Sequence, residues 1–416
     1  MNGLDILEHS GEGYRRLVNG GKWTLASLNY AGRFDEANFT TLERHNLTDE
    51  TFVLLCGEAT LLVGERGERI AMEPLKFYNI RAGVWHHIFV KPGTRVLVAE
   101  NSDTSMATSD FLDVATGRVF QKRPEFEEVL PGTFLLRVPF GPVWTGIALV
   151  RGADGRNFLI DSSHLEPERY LVPALADLGL APSDIAWLLC THVHGDHIGG
   201  HHALHEKYGV KVATLASSAD ALRDPVKVAI RVRTRFPRNS PPPQSYLKGV
   251  EPDRLLSDGE LLEGRFRAIP APGHDDDCLV WLDTATGTAF TGDSIQGNGT
   301  PTQGIGFYRD LPAYRATLAR LAAEPIANLV CGHLYDGIGD VIRGPEAVAA
   351  ALRYCQERVA LYGEKIAACV AGGMPVEDEP VAIARKLIGE VGCGMPEALF
   401  LALHTVSEHL KELRSR

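Results

Sequence analysis

Residues 185–200 constrain this chain more than any other stretch. Ile185-Ala186-Trp187-Leu188-Leu189-Cys190 is an apolar run of strand length, Thr191-His192-Val193-His194-Gly195-Asp196-His197 follows it, and Ile198-Gly199-Gly200 opens into a helical pattern. In the extended part, residues two apart project to the same side, so His192 and His194 can grip one cation with their imidazoles. Gly195 lets the chain turn, after which Asp196 and His197 can face a second cation. The segment therefore requires a buried strand, a tight loop and a helix in that order.

The same residue types recur downstream, each time where an apolar run ends. Phe266 to Gly273 leads to His274, Thr288 to Gly292 leads to Asp293, and Asn328 to Gly332 leads to His333. A glycine immediately before each of these residues permits close backbone approach or an unusual φ. Ligands in sheet-and-helix folds usually sit at strand ends of this kind.

A chain of 416 residues is expected to form two or three units. The first hundred residues hold short β-type runs divided by Gly and Pro: Trp23 to Ala26, Glu50 to Cys56, Ala59 to Val63, Phe77 to Ile80 and Arg95 to Ala99. They predict a small all-β barrel or jelly roll over residues 1–118. Ser102 to Glu125 is polar, with Thr104, Ser105, Thr108, Ser109, Asp110 and then Gln121-Lys122-Arg123, and reads as a linker. Strands such as Thr133 to Val138 and Thr145 to Val150, followed by helical patterns at Leu171 to Leu180 and His201 to Tyr208, place an α/β-layered unit at 119–345. Residues 346–416 read as helical, so the fold class is α+β and multidomain.

The net charge of −11 argues against a nucleic-acid binder, since phosphates are held by Lys and Arg. The Met1-Asn2-Gly3-Leu4-Asp5 start is unlike a signal peptide and no apolar run is of membrane-spanning length, which gives the expectation of a soluble, cytoplasmic protein. Seven scattered cysteines without CxxC spacing read as reduced. A homodimer is the expected assembly.

Residues 126–340 resemble the metallo-β-lactamase fold superfamily, whose pattern is HxHxDH with a later His, an Asp and a final His. The resemblance implies an αββα sandwich, with His192, His194 and His274 on a first metal, Asp196, His197 and His333 on a second, and Asp293 bridging both. Asp161, at the end of Asn157 to Ile160, matches the residue that braces the loop. The helices ending at Ala398 to Leu410 are similar to the appendage of hydrolases related to hydroxyacylglutathione hydrolase, which leans the substrate toward thioesters, esters or lactones.

Two divalent ions suit five imidazoles and two carboxylates, with zinc expected and iron or manganese as alternatives. Water shared between the ions becomes the nucleophile near neutral pH, and Asp196 or Asp293 helps carry its proton to the leaving group. The expected activity is hydrolysis of a small molecule; the alternatives are an iron-dependent redox enzyme and a metabolite sensor with a silent hydrolase-like domain. Tyr308 is a candidate for placing a hydroxyl near the metals. His201, His202 and His205 read as surface or supporting groups, and Asp275-Asp276-Asp277 as a polar turn. The basic segment Arg223 to Arg238 reads either as a solvated helix face or as a strap attracting an anionic substrate.

In the N-terminal unit, Leu42 to Gly57 and then Gly83-Val84-Trp85-His86-His87 resemble the two motifs of the cupin superfamily. Glu43 replaces the family's first histidine and Arg81 its usual proline. The resemblance implies that Glu43, His45, Glu50 and His86 hold a further metal ion, or else that the barrel is structural or ligand-sensing.

Overall fold

The computed structural model describes residues 6–19, 23–101, 104, 109–120, 123–141, 143–152, 154–394, 396 and 398–415. The chain divides into two compact units, Met1–Arg123 and Pro124–Arg416.

The first unit is two facing sheets. One runs Tyr14–Asn19, Trp23–Asn29, Arg95–Asn101, Glu50–Cys56, Phe77–Ile80; the other runs Val119–Phe120, Ser109–Asp113, Thr41–His45, His86–Val90, Ala59–Val63, Glu68–Ala71. Alternation along the strands sets the core: Phe52, Leu54, Val96 and Val98 of one sheet meet Leu61, Ile88 and Val90 of the other. Each such side chain contributes about 1.5–3 kcal/mol through burial. The linker expected from Ser102 is instead partly strand. Ser109–Asp113 pairs antiparallel with Thr41–His45, with Ser109 opposite His45, and Phe111 is buried. Its polar residues face protein partners rather than water, which disguises the strand. Ser105, Thr108, Gln121 and Lys122 of that linker reading, like Met1 to Asp5, lie outside the described residues.

The second unit is layered helix, sheet, sheet, helix. Its seven-stranded sheet runs Phe126–Leu130, Thr133–Phe140, Val143–Arg151, Asn157–Ile160, Ile185–Leu189, Lys211–Leu215, Arg254–Leu256, the last four in parallel. The six-stranded sheet runs Leu261–Leu262, Phe266–Pro270, Leu279–Asp283, Thr288–Gly292, Asn328–Tyr335, Gly339–Arg343. Strands buried on both faces explain the near-continuous apolar runs: Leu279 and Trp281 face the inter-sheet core, while Val280 and Leu282 face the helices outside. Those helices are Leu311–Ala323, Pro345–Ala371, Val381–Val391 and Leu399–Ser415, and they share one apolar cluster with the outer face of the six-stranded sheet. Among the described residues no helix is long and apolar enough to cross a membrane, and the seven cysteines are free.

Candidate metal centre

Strand ends of the second unit deliver every ligand-type side chain to one place. Ile185–Leu189 leads into His192, His194, Asp196 and His197; Phe266–Pro270 leads to His274; Thr288–Gly292 leads to Asp293. His333 lies within Asn328–Tyr335, where pairing with the next strand is interrupted between Val330 and Tyr335. The glycine before it is sterically required: a Cβ on Gly332 would stand 2.6 Å from His197 Cε1 and 2.7 Å from Asp293 Oδ1.

Each of the five imidazoles is tied through its outer nitrogen. His333 Nδ1 donates to the Trp144 carbonyl (2.6 Å) and His274 Nδ1 to the Phe307 carbonyl (2.9 Å). His197 Nδ1 donates to Asp161 Oδ2 (2.8 Å), and His194 Nε2 to Asp275 Oδ2 (3.0 Å). His192 Nδ1 is 3.1 Å from Thr191 Oγ1. With carbonyl or carboxylate acceptors on the outer nitrogens of four rings, their inner nitrogens present lone pairs.

Those inner atoms converge. Donor atoms of His192, His194 and His274 form one group within 4.8 Å of one another, and those of Asp196, His197 and His333 form a second. Asp293 lies between them, with Oδ1 3.2 Å from His197 Nε2 and Oδ2 3.5 Å from His274 Nε2. His274 Nε2 and His194 Nδ1 face each other at 2.9 Å, while His192 Nε2, His197 Nε2 and Asp293 Oδ1 are buried without a hydrogen-bond partner. Lone pairs packed this closely are stable only around positive charge. Such a donor set fits two divalent cations.

Burial, reinforced by the charges of His197 and His194, drives the His192 pKa well below its ordinary value, which keeps its lone pair free. For Asp196, burial opposes ionisation, but His197 and His333 in their protonated forms, which Asp293 favours, outweigh it and hold the carboxyl ionised, a role that passes to a cation when one displaces those protons. Asp161, in the left-handed region at φ 59°, accepts from Thr191 N (2.8 Å), Thr191 Oγ1 (2.6 Å) and His197 Nδ1, so it fixes both ends of the loop.

Tyr308 is a correction. Its hydroxyl bonds His409 Nε2 at 2.6 Å in the core of the terminal helices and its ring stacks on Tyr314, whereas Phe307 is the residue of that stretch whose ring meets His274, at 4.7 Å. The preceding turn aims residue 307 at the cluster and residue 308 away from it.

Three acids read as a polar turn have defined work. Asp275 ties His194 and is itself gripped by Arg231 Nη2 (2.5 Å) and by Arg309. Asp277 accepts from the Val193 N–H at 2.6 Å, between the two histidines, and burial followed by the charge of Asp275 pushes its pKa up to about 6. Asp276 is exposed to solvent and pairs with Arg231. The signal available for Asp275 was only its place next to His274; His194 lies 81 positions away. His201 is buried against Ser162, and His202 and His205 bond Gly249 O and Glu206.

The metallo-beta-lactamase superfamily model matches residues 146–333, the span that holds the seven converging side chains. These residues belong to that superfamily. A hydroxyacylglutathione hydrolase from Xanthomonas axonopodis pv. citri (strain 306) is 32% identical over 194 residues, 46% of this chain and 60% of that protein. A beta-lactamase-like protein 2 homolog from Caenorhabditis elegans is 26% identical over 195 residues, 46% of this chain and 55% of that one. The chain thus spans about 60% of the length of the first curated relative it matches. Among solved structures, a metallo-beta-lactamase family protein from Thermus thermophilus superimposes with a TM-score of 0.52 at 22% identity, covering 69% of this chain and 95% of the other. A beta-lactamase domain protein from Burkholderia ambifaria gives 0.52 at 20% identity, covering 70% and 88%. Both show the metallo-beta-lactamase fold in the second unit.

In the first unit, Glu50 Oε2 lies 3.0 Å from both His45 Nε2 and His86 Nε2. The outer nitrogens are held by Ser109 Oγ (2.7 Å) and the Val84 carbonyl (2.9 Å). Glu43 is opposite His86 on the neighbouring strand but outside this three-donor group.

Proposed function

We propose that the second unit is a metal-dependent hydrolase of small thioesters, esters or lactones, working through two divalent cations, zinc by expectation. The observation that carries this reading is the convergence of five ring-anchored imidazoles and two carboxylates around buried atoms with no other partner. Similarity to proteins named hydroxyacylglutathione hydrolase supports the thioester preference.

In this reading His192, His194 and His274 would hold the first cation, Asp196, His197 and His333 the second, and Asp293 would serve both. When bound, the cations supply Lewis acidity toward the carbonyl and acidify water at neutral pH. The chain's own residues do the rest. Asp161 and Asp275 orient His197 and His194, so the donors need no rearrangement. Asp196, partly open to solvent at its side chain (21%), is the carboxylate placed to take a proton and return it to the leaving group.

The test is elemental analysis of the purified protein and of Asp196→Ala, each assayed with thioesters, esters, lactones and phosphodiesters. About two zinc ions per second unit and a hydrolysis that vanishes in the variant are expected. Iron with oxygen uptake would move the reading to redox chemistry, and a folded, metal-free, inactive wild type would leave a silent binding domain.

A second, independent site is proposed in the first unit, which we read as cupin-like. His86 donates from Nδ1 to Val84, so its Nε2 lone pair points at a carboxylate oxygen, an arrangement that needs a proton or a cation between them. His45, Glu50 and His86 would hold one divalent ion, which should disappear from the elemental analysis in His45→Ala while hydrolysis persists.

A further inference from the structure

The outer nitrogen of His274 faces two groups that make opposite demands on it. Nδ1 lies 2.9 Å from the Phe307 carbonyl, an acceptor, and 3.1 Å from Gln296 Nε2, a donor. On the other side of the ring, Nε2 faces His194 Nδ1 at 2.9 Å. His194 gives its own Nε2 proton to Asp275, so its Nδ1 is a ready acceptor. A neutral His274 therefore has two self-consistent states. In one the proton sits on Nδ1, bonded to Phe307, and Nε2 is bare; in the other it sits on Nε2, bonded to His194, while Nδ1 accepts from Gln296. Only the first can bind a cation through Nε2.

The choice turns on how many hydrogens Gln296 has to give. Its Oε1 accepts from Phe307 N at 3.0 Å; turning the amide over would set its nitrogen against that N–H and its oxygen against the Asp293 carbonyl. Nε2 thus carries its two hydrogens toward the cluster, where two acceptors besides His274 are within reach: the Asp293 carbonyl at 3.1 Å and Tyr335 Oη at 3.2 Å. An amide nitrogen does not accept, so the phenol oxygen does. Gln296 and Tyr335 are both buried. The last helices hold the frame: Thr405 Oγ1 donates to the Gly306 carbonyl (2.7 Å) and accepts from Tyr308 N (3.1 Å), and Tyr362 Oη accepts from Gly306 N (3.3 Å). Phe307, between these anchors, has its carbonyl fixed against His274.

We propose that Gln296 and Tyr335 are positioning residues that hold His274 in the tautomer able to bind a cation. With one amide hydrogen on the Asp293 carbonyl and the other on Tyr335 Oη, Gln296 has none left for His274 Nδ1, which must itself donate to Phe307 and leave Nε2 bare. The proposal rests on the hydrolase reading for the cation at His274 and on hydrogen-bond geometry for the tautomer.

The experiment follows the ring in the full-length metal-free protein by proton–nitrogen NMR with isotope-labelled histidine, the His274 signal being assigned by its loss in His274→Asn. Wild type is expected to show the Nδ1–H form. Tyr335→Phe keeps the ring but removes the acceptor oxygen and frees one Gln296 hydrogen for His274 Nδ1. The population should then move toward Nε2–H, and affinity for the first cation, read by zinc titration against a chelator, should fall about tenfold or more. Saturating zinc should restore kcat, because the cation itself selects the bare Nε2. Gln296→Glu, ionised, has no hydrogen to give and offers His274 Nδ1 an acceptor, so it should keep the Nδ1–H form even while it loses stability against the Asp293 carbonyl. Packing alone would move the two variants in the same direction. An Nε2–H form in wild type, an unshifted His274 in Tyr335→Phe, or a shift to Nε2–H in both variants would overturn the proposal. So would a kcat that stays low in Tyr335→Phe at saturating zinc. If the loaded wild type hydrolyses no ester, the hydrolase reading fails, and the NMR measurement on metal-free protein still decides the tautomer.

Discussion

The two histidine–carboxylate clusters of this chain differ in how they are satisfied. In the first unit a single oxygen, Glu50 Oε2, faces both His45 and His86, and these imidazoles hold its carboxyl down to about 2 against the burial that opposes ionisation. Three donors and the protons they share can stand as a closed hydrogen-bonded group. The second unit has seven ligand-type side chains, outer ring nitrogens already committed, and His192 Nε2, His197 Nε2 and Asp293 Oδ1 without partners. A cluster that protons can complete binds a cation by competition, whereas one that leaves buried lone pairs orphaned depends on it.

The hardest blow to that comparison is the loss of a donor from the larger cluster. Asp196→Ala should abolish hydrolysis and release about one of the two ions, because the second position then keeps only His197, His333 and the Asp293 it shares with the first. Elemental analysis beside an assay checks it. Stepwise chelation sharpens the contrast: the ion of the first unit should leave first with hydrolysis intact, and loss of activity on its removal would end the view that the sites are independent.

Next in size is the support of His194. Asp275→Asn keeps the shape of the contact but weakens its acceptor and frees Arg231 and Arg309, so affinity for the first metal should fall about 10- to 100-fold. A zinc titration with a competing chelator reads this directly. Unchanged affinity would mean that the ring is held by packing against Phe307 and not by its acid.

In the first unit, His86→Ala removes one of two partners of a carboxylate that is nearly all buried. It should lower stability by about 3–5 kcal/mol, read as the denaturation midpoint, with hydrolysis retained in buffers where the fold persists. A variant as stable as wild type would show that Glu50 is solvated and the closed-group view mistaken.

How much of this was legible in the sequence depended on how locally each feature is encoded. Glu50–Cys56, Ala59–Val63 and Phe77–Ile80 were readable because their apolar runs are bounded by turns. Thr41–His45 and Ser109–Asp113 were not read as strands, since Glu43, Arg44 and Asp110 look like loop until Arg44 is seen to pair with Asp110. His192 to His197 announce themselves within six positions, and glycines flag the three later residues. Asp275 stayed hidden because its significance lies in a partner supplied by a distant segment, His194. Tyr308 misled because its place in the sequence, between Asp293 and His333, does not say which of two neighbours in an irregular segment turns toward the cluster.

The smallest expected effect separates metal dependence from ordinary burial within the second unit. His404 in the last helix donates from Nε2 to the Val232 carbonyl (3.1 Å), and burial lowers its pKa to about 3. The folded form therefore stays neutral where the unfolded chain, at its ordinary 6.5, takes up a proton. The stability from this group is complete above the unfolded value and is lost as pH falls from there toward 3, at up to about 1.4 kcal/mol per pH unit. His404→Gln keeps an N–H donor and cannot titrate, so the loss between pH 7 and pH 5 should be smaller than in wild type by up to about 2 kcal/mol. The difference should persist in metal-free protein. If it vanishes on metal removal, the acid sensitivity belongs to the cluster and not to the helix packed behind it.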